Sequence, residues 1–179
     1  MTDKDRIVRV SSHTPWEPVF GYSRAVRAGN LIAVSGTTAT DENGTIIGIN
    51  QMYVQTRQAI QNLSRALEKA GAGLKDVIRT RVFVTDISRF DDVARAHREA
   101  FGDAPPAASA VEVRRLVHPD MLVEIEADAI VGNSAKSTSM SDSKAEVSRG
   151  RAGVARRQKV TKAKSAKGKT RGVKHRRGR

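Results

Sequence analysis

The chain has 179 residues and not one cysteine. Disulfides, thiolate nucleophiles and cysteine-ligated zinc or iron–sulfur sites are therefore excluded. No G-x-G-x-x-G follows a strand-like run, and neither a phosphate-binding P-loop nor a G-x-S-x-G nucleophile elbow occurs. The four histidines, His13, His97, His118 and His175, share no metal-ligand spacing. A nucleotide-cofactor enzyme, a serine hydrolase or a zinc enzyme would each need residues that are missing. Long apolar runs are also missing. None approaches the roughly 18 residues of a membrane span, and MTDKDRIVRV has no signal-peptide core. The expectation is a soluble, cytoplasmic protein with no membrane partner.

What is present is charge, unevenly placed. The net charge is +13. Residues 133–179 hold 16 Lys/Arg against 2 Asp/Glu, whereas residues 1–132 hold 16 against 17. The basic character belongs to the C-terminal segment alone. That segment begins with the small polar run NSAKSTSMSDSKAE and continues almost entirely in Lys, Arg, Gly and Ala. Without a hydrophobic period it cannot bury enough surface to offset its ordering entropy. It is expected to be disordered, with one folded domain over 1–132. Its cations Arg156, Arg157, Lys159, Lys162, Lys164, Lys167, Lys169, Arg171, Lys174, Arg176, Arg177 and Arg179 form an electrostatic footprint for a phosphate polymer. No aromatic residue lies among them to stack on bases. Nucleic-acid binding there would be non-specific and salt-sensitive.

The body alternates strand and helix patterns. IVRV (7–10) is a short strand candidate, and 20–36 predicts two strands around the turn Ala28-Gly29-Asn30. DENG (41–44) is a second turn signal. Residues 51–70 predict a helix, with Thr56, Ile60, Leu63, Leu67 and Ala70 on one face and Gly71 as its stop. DVIRTRVFVTD (76–86) reads as a strand. Ser88 with Asp91 predicts a capping box for a second helix. That helix carries Phe90, Val93, Ala94, His97, Ala100 and Phe101 on its inner face and ends at Gly102, with His97 read as a packing residue. Strands are expected at 109–116 and 121–131. This order predicts an α+β fold: a mixed sheet with both helices on one face. The other face would meet water or a neighbouring subunit.

In VEIEAD, Glu124, Glu126 and Asp128 share one strand face. Three acids in a row repel unless cations oppose them. Arg79 and Arg81 on the strand at 76–86, and Arg114 on the adjoining strand, are the candidates. For Glu126 and Asp128 a cross-strand charge ladder is the expected reading. Glu124 is left open between ladder and function.

Taken together, YSRAVRAGNLIAVSG, TRQAIQNLSRALEKAG, VFVTD, PAASAVEV and VEIEADAI resemble the reactive intermediate deaminase (RidA/YjgF) family over roughly residues 15–131. The resemblance implies a chorismate-mutase-like fold and a homotrimer with clefts between subunits that bind small molecules. It implies hydrolysis of reactive enamine or imine intermediates to carbonyl compounds and ammonia, without metal or organic cofactor. By position it assigns catalytic roles to Tyr22 and Glu124, the latter holding the attacking water. It places Ser35, Gly36, Ala108 and Ala110 in the substrate site. Ala108 stands where the family carries a carboxylate-binding arginine, so the chain is similar to an arginine-lacking branch. Arg24 or Arg114 is the candidate substitute. The alternative is a non-deaminating trimer that binds another small ligand and uses its basic tail on nucleic acid.

Overall fold

The computed structural model describes residues 7–132. The expectation for 133–179 lies outside the described residues. Six strands form one sheet: β1 (Ile7–Val10), β2 (Ala25–Ala28), β3 (Leu31–Thr37), β4 (Val77–Val84), β5 (Ala107–Glu112) and β6 (Val123–Ile130), in the order β1-β2-β3-β6-β4-β5. Every neighbour pair is antiparallel except β4–β5, which is parallel. The sheet is mixed, as expected. The β4–β5 pair needs a crossover, because parallel strands cannot be joined by a tight hairpin.

The long helix α2 (Met52–Lys69) and the crossover helix α3 (Phe90–Phe101) supply the helical cover. A short helix α1 (Trp16–Phe20) precedes β2. On α2 the predicted face Thr56, Ile60, Leu63, Leu67 and Ala70 is buried, joined by Met52, Ala59 and Ala66. It packs on Val123, Ile125, Ala127 and Ala129, the alternate residues of β6, and on Ile32 and Val34 of β3. Each large aliphatic buried in this way contributes about 1.5–3 kcal/mol. Alternation then sends Glu124, Glu126 and Asp128 to the sheet face away from the helices.

Several expectations need correction. No strand runs from residue 20. Residues 16–20 make α1, which ends at Gly21 (φ 76°), and β2 starts only at Ala25. The cause is Glu17, whose buried carboxylate accepts from the Ser12 amide (2.8 Å) and from the Ser11 and Ser12 hydroxyls. Burial opposes its ionisation, but these hydrogen bonds and the Arg24 charge outweigh it and hold its pKa below the usual value. Ser88 is not an N-cap. It donates its amide (3.0 Å) and hydroxyl (2.6 Å) to Asp86, within a turn of 3-10 helix at Ile87–Arg89, and α3 begins at Phe90 without a side-chain cap. Phe90 is exposed, and Ala96, not foreseen, is buried with Val93 and Phe101. β5 ends at Glu112, so Arg114 is on no strand.

A buried glutamine, unmarked in the sequence, aligns the start of β6. Gln55 on α2 donates to the carbonyls of Gly48 (3.2 Å) and Asp120 (2.7 Å) and accepts from the Leu122 amide (2.8 Å). It is wholly buried with all three contacts made, so the tie costs little and fixes the strand that carries Glu124.

Candidate functional site

The site begins with an irregularity in β3. Val34 pairs with Ala127 and Thr37 with Ile125, so Ser35 and Gly36 together oppose Glu126 alone. This is a β-bulge, a device that bends a strand and re-aims its neighbours. The Ser35 hydroxyl donates to the Ser23 carbonyl (2.8 Å), and the Ser35 amide donates to the Arg24 carbonyl (3.0 Å), so the bulge is tied to the segment before β2.

Glu124 reaches from β6 over the β3 bulge and covers Gly36. A Cβ built on Gly36 would lie 1.7 Å from Glu124 Oε1 and 2.7 Å from its Cδ. Only glycine leaves room for the carboxyl in that seat. Burial pushes the Glu124 carboxyl above the ordinary glutamate value, Arg24 acts against this, and Glu126 adds to it. Facing Glu124 across β4 is Phe83, which offers no charge.

Arg24 organises the rest. Its Nη1 donates to the carbonyls of Gly36 (2.6 Å) and Ser35 (3.3 Å) and to the Thr37 hydroxyl (2.9 Å). Its Nη2 donates to the Tyr22 hydroxyl. The guanidinium also lies over the Tyr22 ring, 5.0 Å from its centroid, a cation–π arrangement. The Phe20 ring stands 6.0 Å from that of Tyr22 and is 84% exposed. Tyr22, Arg24, Ser35, Gly36 and Glu124 are thus brought together within one chain.

The other two acids form the ladder. Arg81 donates its Nε to Glu126 and its Nη1 to Asp128 (3.1 Å). These hydrogen bonds, Glu126 foremost, raise the arginine's pKa further. Arg79, which faces Asp128 in register, closes no ion pair among the described residues. The exposed Arg114 takes no part. Glu124 alone of the three acids has no cation bound to it, which separates it from the ladder.

Ala108 and Ala110 are elsewhere. They pair in register with Thr80 and Val82 of β4. Thr80 and Val82 are buried on the helix side, and Ala110 packs against that core. Ala108 and Ala110 therefore occupy the sheet face opposite Glu124, on the edge strand. His97 is half-buried nearby, with Nε2 3.0 Å from the Thr80 hydroxyl and its ring 4.5 Å from that of Phe101. Burial lowers its pKa. This agrees with a packing residue that has one polar tie. The basic residues 156–179 lie outside the described residues. Among the described residues no cluster of three or more His, Asp or Glu could hold a metal ion, and no helix is long and apolar enough to cross a membrane.

The chain is similar to several known proteins. The sequence model of the family described as "Endoribonuclease L-PSP" matches residues 12–131. An uncharacterized protein of Streptomyces coelicolor is 36% identical over 128 residues, which cover 72% of this chain and 95% of that one. The "3-aminoacrylate deaminase RutC" of Acinetobacter baylyi is 33% identical over 114 residues, 64% of this chain and 90% of that protein. Among solved structures, Rv2704 of Mycobacterium tuberculosis, a member of the YjgF/YER057c/UK114 family, is 47% identical with a TM-score of 0.65, covering 70% of this chain and all (100%) of that one. The YjgF gene product of Escherichia coli is 30% identical with a TM-score of 0.62, over 69% and 98% of the two chains. On the match over 12–131 and these relatives, the chain belongs to the Endoribonuclease L-PSP family, that of the RidA/YjgF and RutC proteins.

Proposed function

We propose that the chain hydrolyses reactive imine or enamine intermediates to carbonyl compounds and ammonia, without a cofactor, in clefts between the subunits of a homotrimer. The observation that carries this reading is Glu124: an acid with no bound cation, seated over Gly36, with its proton held more tightly than usual. A carboxyl of that kind can protonate an imine nitrogen, and its carboxylate can then take a proton from water as the oxygen attacks the imine carbon. The carbinolamine so formed expels ammonia and leaves the carbonyl. Tyr22 is tied through Arg24 to the bulge under Glu124. Deamination of 3-aminoacrylate, the activity for which the RutC relative is named, is chemistry of this type.

The separation of Ala108 and Ala110 from Glu124 supports a shared site. On one chain they face opposite ways. A second copy that sets its β5 edge against this bulge would place them together, and the half-covered sheet face, with Leu31 and Val111 exposed (46% and 47%), provides surface for such packing. Light scattering of the full chain should then give three times the chain mass of 19.4 kDa.

Ala108 narrows the substrate. A guanidinium grips a carboxylate bidentately, and without one the substrate gains about 1.5–3 kcal/mol less. Substrates are therefore imines without a carboxylate beside the reacting carbon. Ala108→Arg should raise kcat/KM for 2-imino acids about ten- to a hundredfold and leave uncharged imines nearly unchanged. Coupled assays with an amino-acid oxidase and an amine oxidase supply the two imine classes in place. A wild type that already prefers 2-imino acids would contradict this.

The charge of residues 133–179 favours a second reading, nucleic-acid binding alongside the hydrolysis. Three tails on one trimer would add avidity. Filter binding to single-stranded RNA should weaken about tenfold or more between low and physiological salt and vanish on deletion of 133–179. Binding that survives the deletion rules the tail out.

A further inference from the structure

We infer that Arg24 is the positioning residue of this site, holding the Ser35–Gly36 bulge where it seats Glu124, and that it is not the substitute carboxylate anchor. Resting on the functional reading above, this assigns the cation nearest the cleft to the protein itself. Both terminal nitrogens of Arg24 already serve protein acceptors: Nη1 the Ser35 and Gly36 carbonyls and the Thr37 hydroxyl, Nη2 the Tyr22 hydroxyl. Binding a carboxylate through their shared fork would break the contact to Gly36, the shortest of the Nη1 set at 2.6 Å. That glycine is also the floor under Glu124 Oε1. Displacing its carbonyl would displace the acid.

The same residue joins three pieces of chain that are distant in sequence. Its own carbonyl accepts from the Ser35 amide, its guanidinium closes on the bulge, and its plane covers Tyr22. Tyr22 thereby depends on Arg24 for its tie to the bulge that seats Glu124. Charge acts along the same path. The charged groups that act on Glu124 are Arg24 from the loop before β2 and Glu126 on its own strand, while Arg81 on β4 is occupied by Glu126 and Asp128. Arg24 is thus the cation whose charge favours ionised Glu124, against burial and Glu126. Lysine cannot copy this role, because an ammonium has no planar fork to span the Tyr22 hydroxyl and the bulge together.

The test separates position from charge and does not require turnover. Carbon-13 NMR of glutamate-labelled protein, with Glu124 assigned through E124Q, reads the titration of that carboxyl directly. Arg24→Gln should move its midpoint upward, and Arg24→Lys should return it most of the way. Amide exchange reads the position: Arg24→Gln and Arg24→Lys should both lower protection at Ser35 by about tenfold, the worth of a lost charge-assisted contact. If Arg24→Gln does not fold, Tyr22→Phe tests the link with the charge kept, and should loosen Ser35 without moving the midpoint. An unmoved midpoint and unmoved Ser35 protection in Arg24→Gln overturn the inference. So does full recovery of both by lysine, which would leave only a charge effect. Absence of imine hydrolysis would count against the functional reading and leave the NMR result standing.

Discussion

Glu124→Gln lowers imine hydrolysis by about 10²–10⁴-fold, the usual contribution of a positioned acid–base group. The amide keeps the shape that fits over Gly36 and removes the titrating proton. The variant is expected to be at least as stable as the wild type near neutral pH. The sign follows from linkage. Burial raises the folded-state pKa of Glu124 above its unfolded value, so the folded chain binds more protons than the unfolded chain between the two. Stability falls as pH rises through that window, and the deficit persists above it. Glutamine has no proton to lose. Its thermal midpoint should therefore overtake the wild type's as pH rises from the unfolded glutamate pKa of about 4.3. Loss of turnover with a retained or higher Tm would place Glu124 in the chemistry. Unchanged turnover would show that the acid is structural.

Gly36→Ala is the second large effect, and it needs no change to any ionisable group. A methyl at Gly36 meets Glu124 Oε1 at 1.7 Å, its Cδ at 2.7 Å and its Cγ at 3.2 Å. All of these atoms belong to a flexible side chain, so the backbone need not yield. The carboxyl must swing away by more than 1 Å, a misplacement that costs about 10²-fold in a positioned reaction. Turnover is expected to drop by that factor while Tm moves by no more than about 4 °C. The double variant Gly36→Ala/Glu124→Gln should be no slower than Glu124→Gln alone, since both remove the same interaction. Additive losses would mean that the methyl acts on something other than Glu124. A fall in stability with intact turnover would make Gly36 a packing glycine.

Period-two alternation placed Glu124, Glu126 and Asp128 on one face, and so they are. Alternation could not tell them apart. Arg81 sits between Glu126 and Asp128 because of the β4–β6 register, and register depends on pairing partners 45 and 47 residues away. Ser35-Gly36 could be picked out as the end of a strand, but a bulge exists only against a partner strand. Arg24 stood in the chain as a candidate substitute for the missing carboxylate anchor. Its commitments to Tyr22, Ser35, Gly36 and Thr37 come from a loop folded across the sheet end. The strand expected from residue 20 failed for a local reason. Glu17, unremarkable in the sequence, finds Ser11 and Ser12 within a few residues and closes a short helix that overrides the alternation. Gln55 carried no signal at all, since a polar residue on an apolar helix face becomes an alignment device only when its three partners surround it.

The sequence by itself determined the α+β class, the buried face of α2, the sidedness of β6 and the confinement of net positive charge to residues 133–179. Each follows from periodicity or composition, which are local along the chain. Tertiary structure alone decided which acid is free, why position 36 must be glycine, that Arg24 is held by the protein, and that Ala108 and Ala110 face away from Glu124 within one chain. Those facts depend on contacts between residues far apart in sequence, in a sheet whose order β1-β2-β3-β6-β4-β5 puts the last strand near its middle.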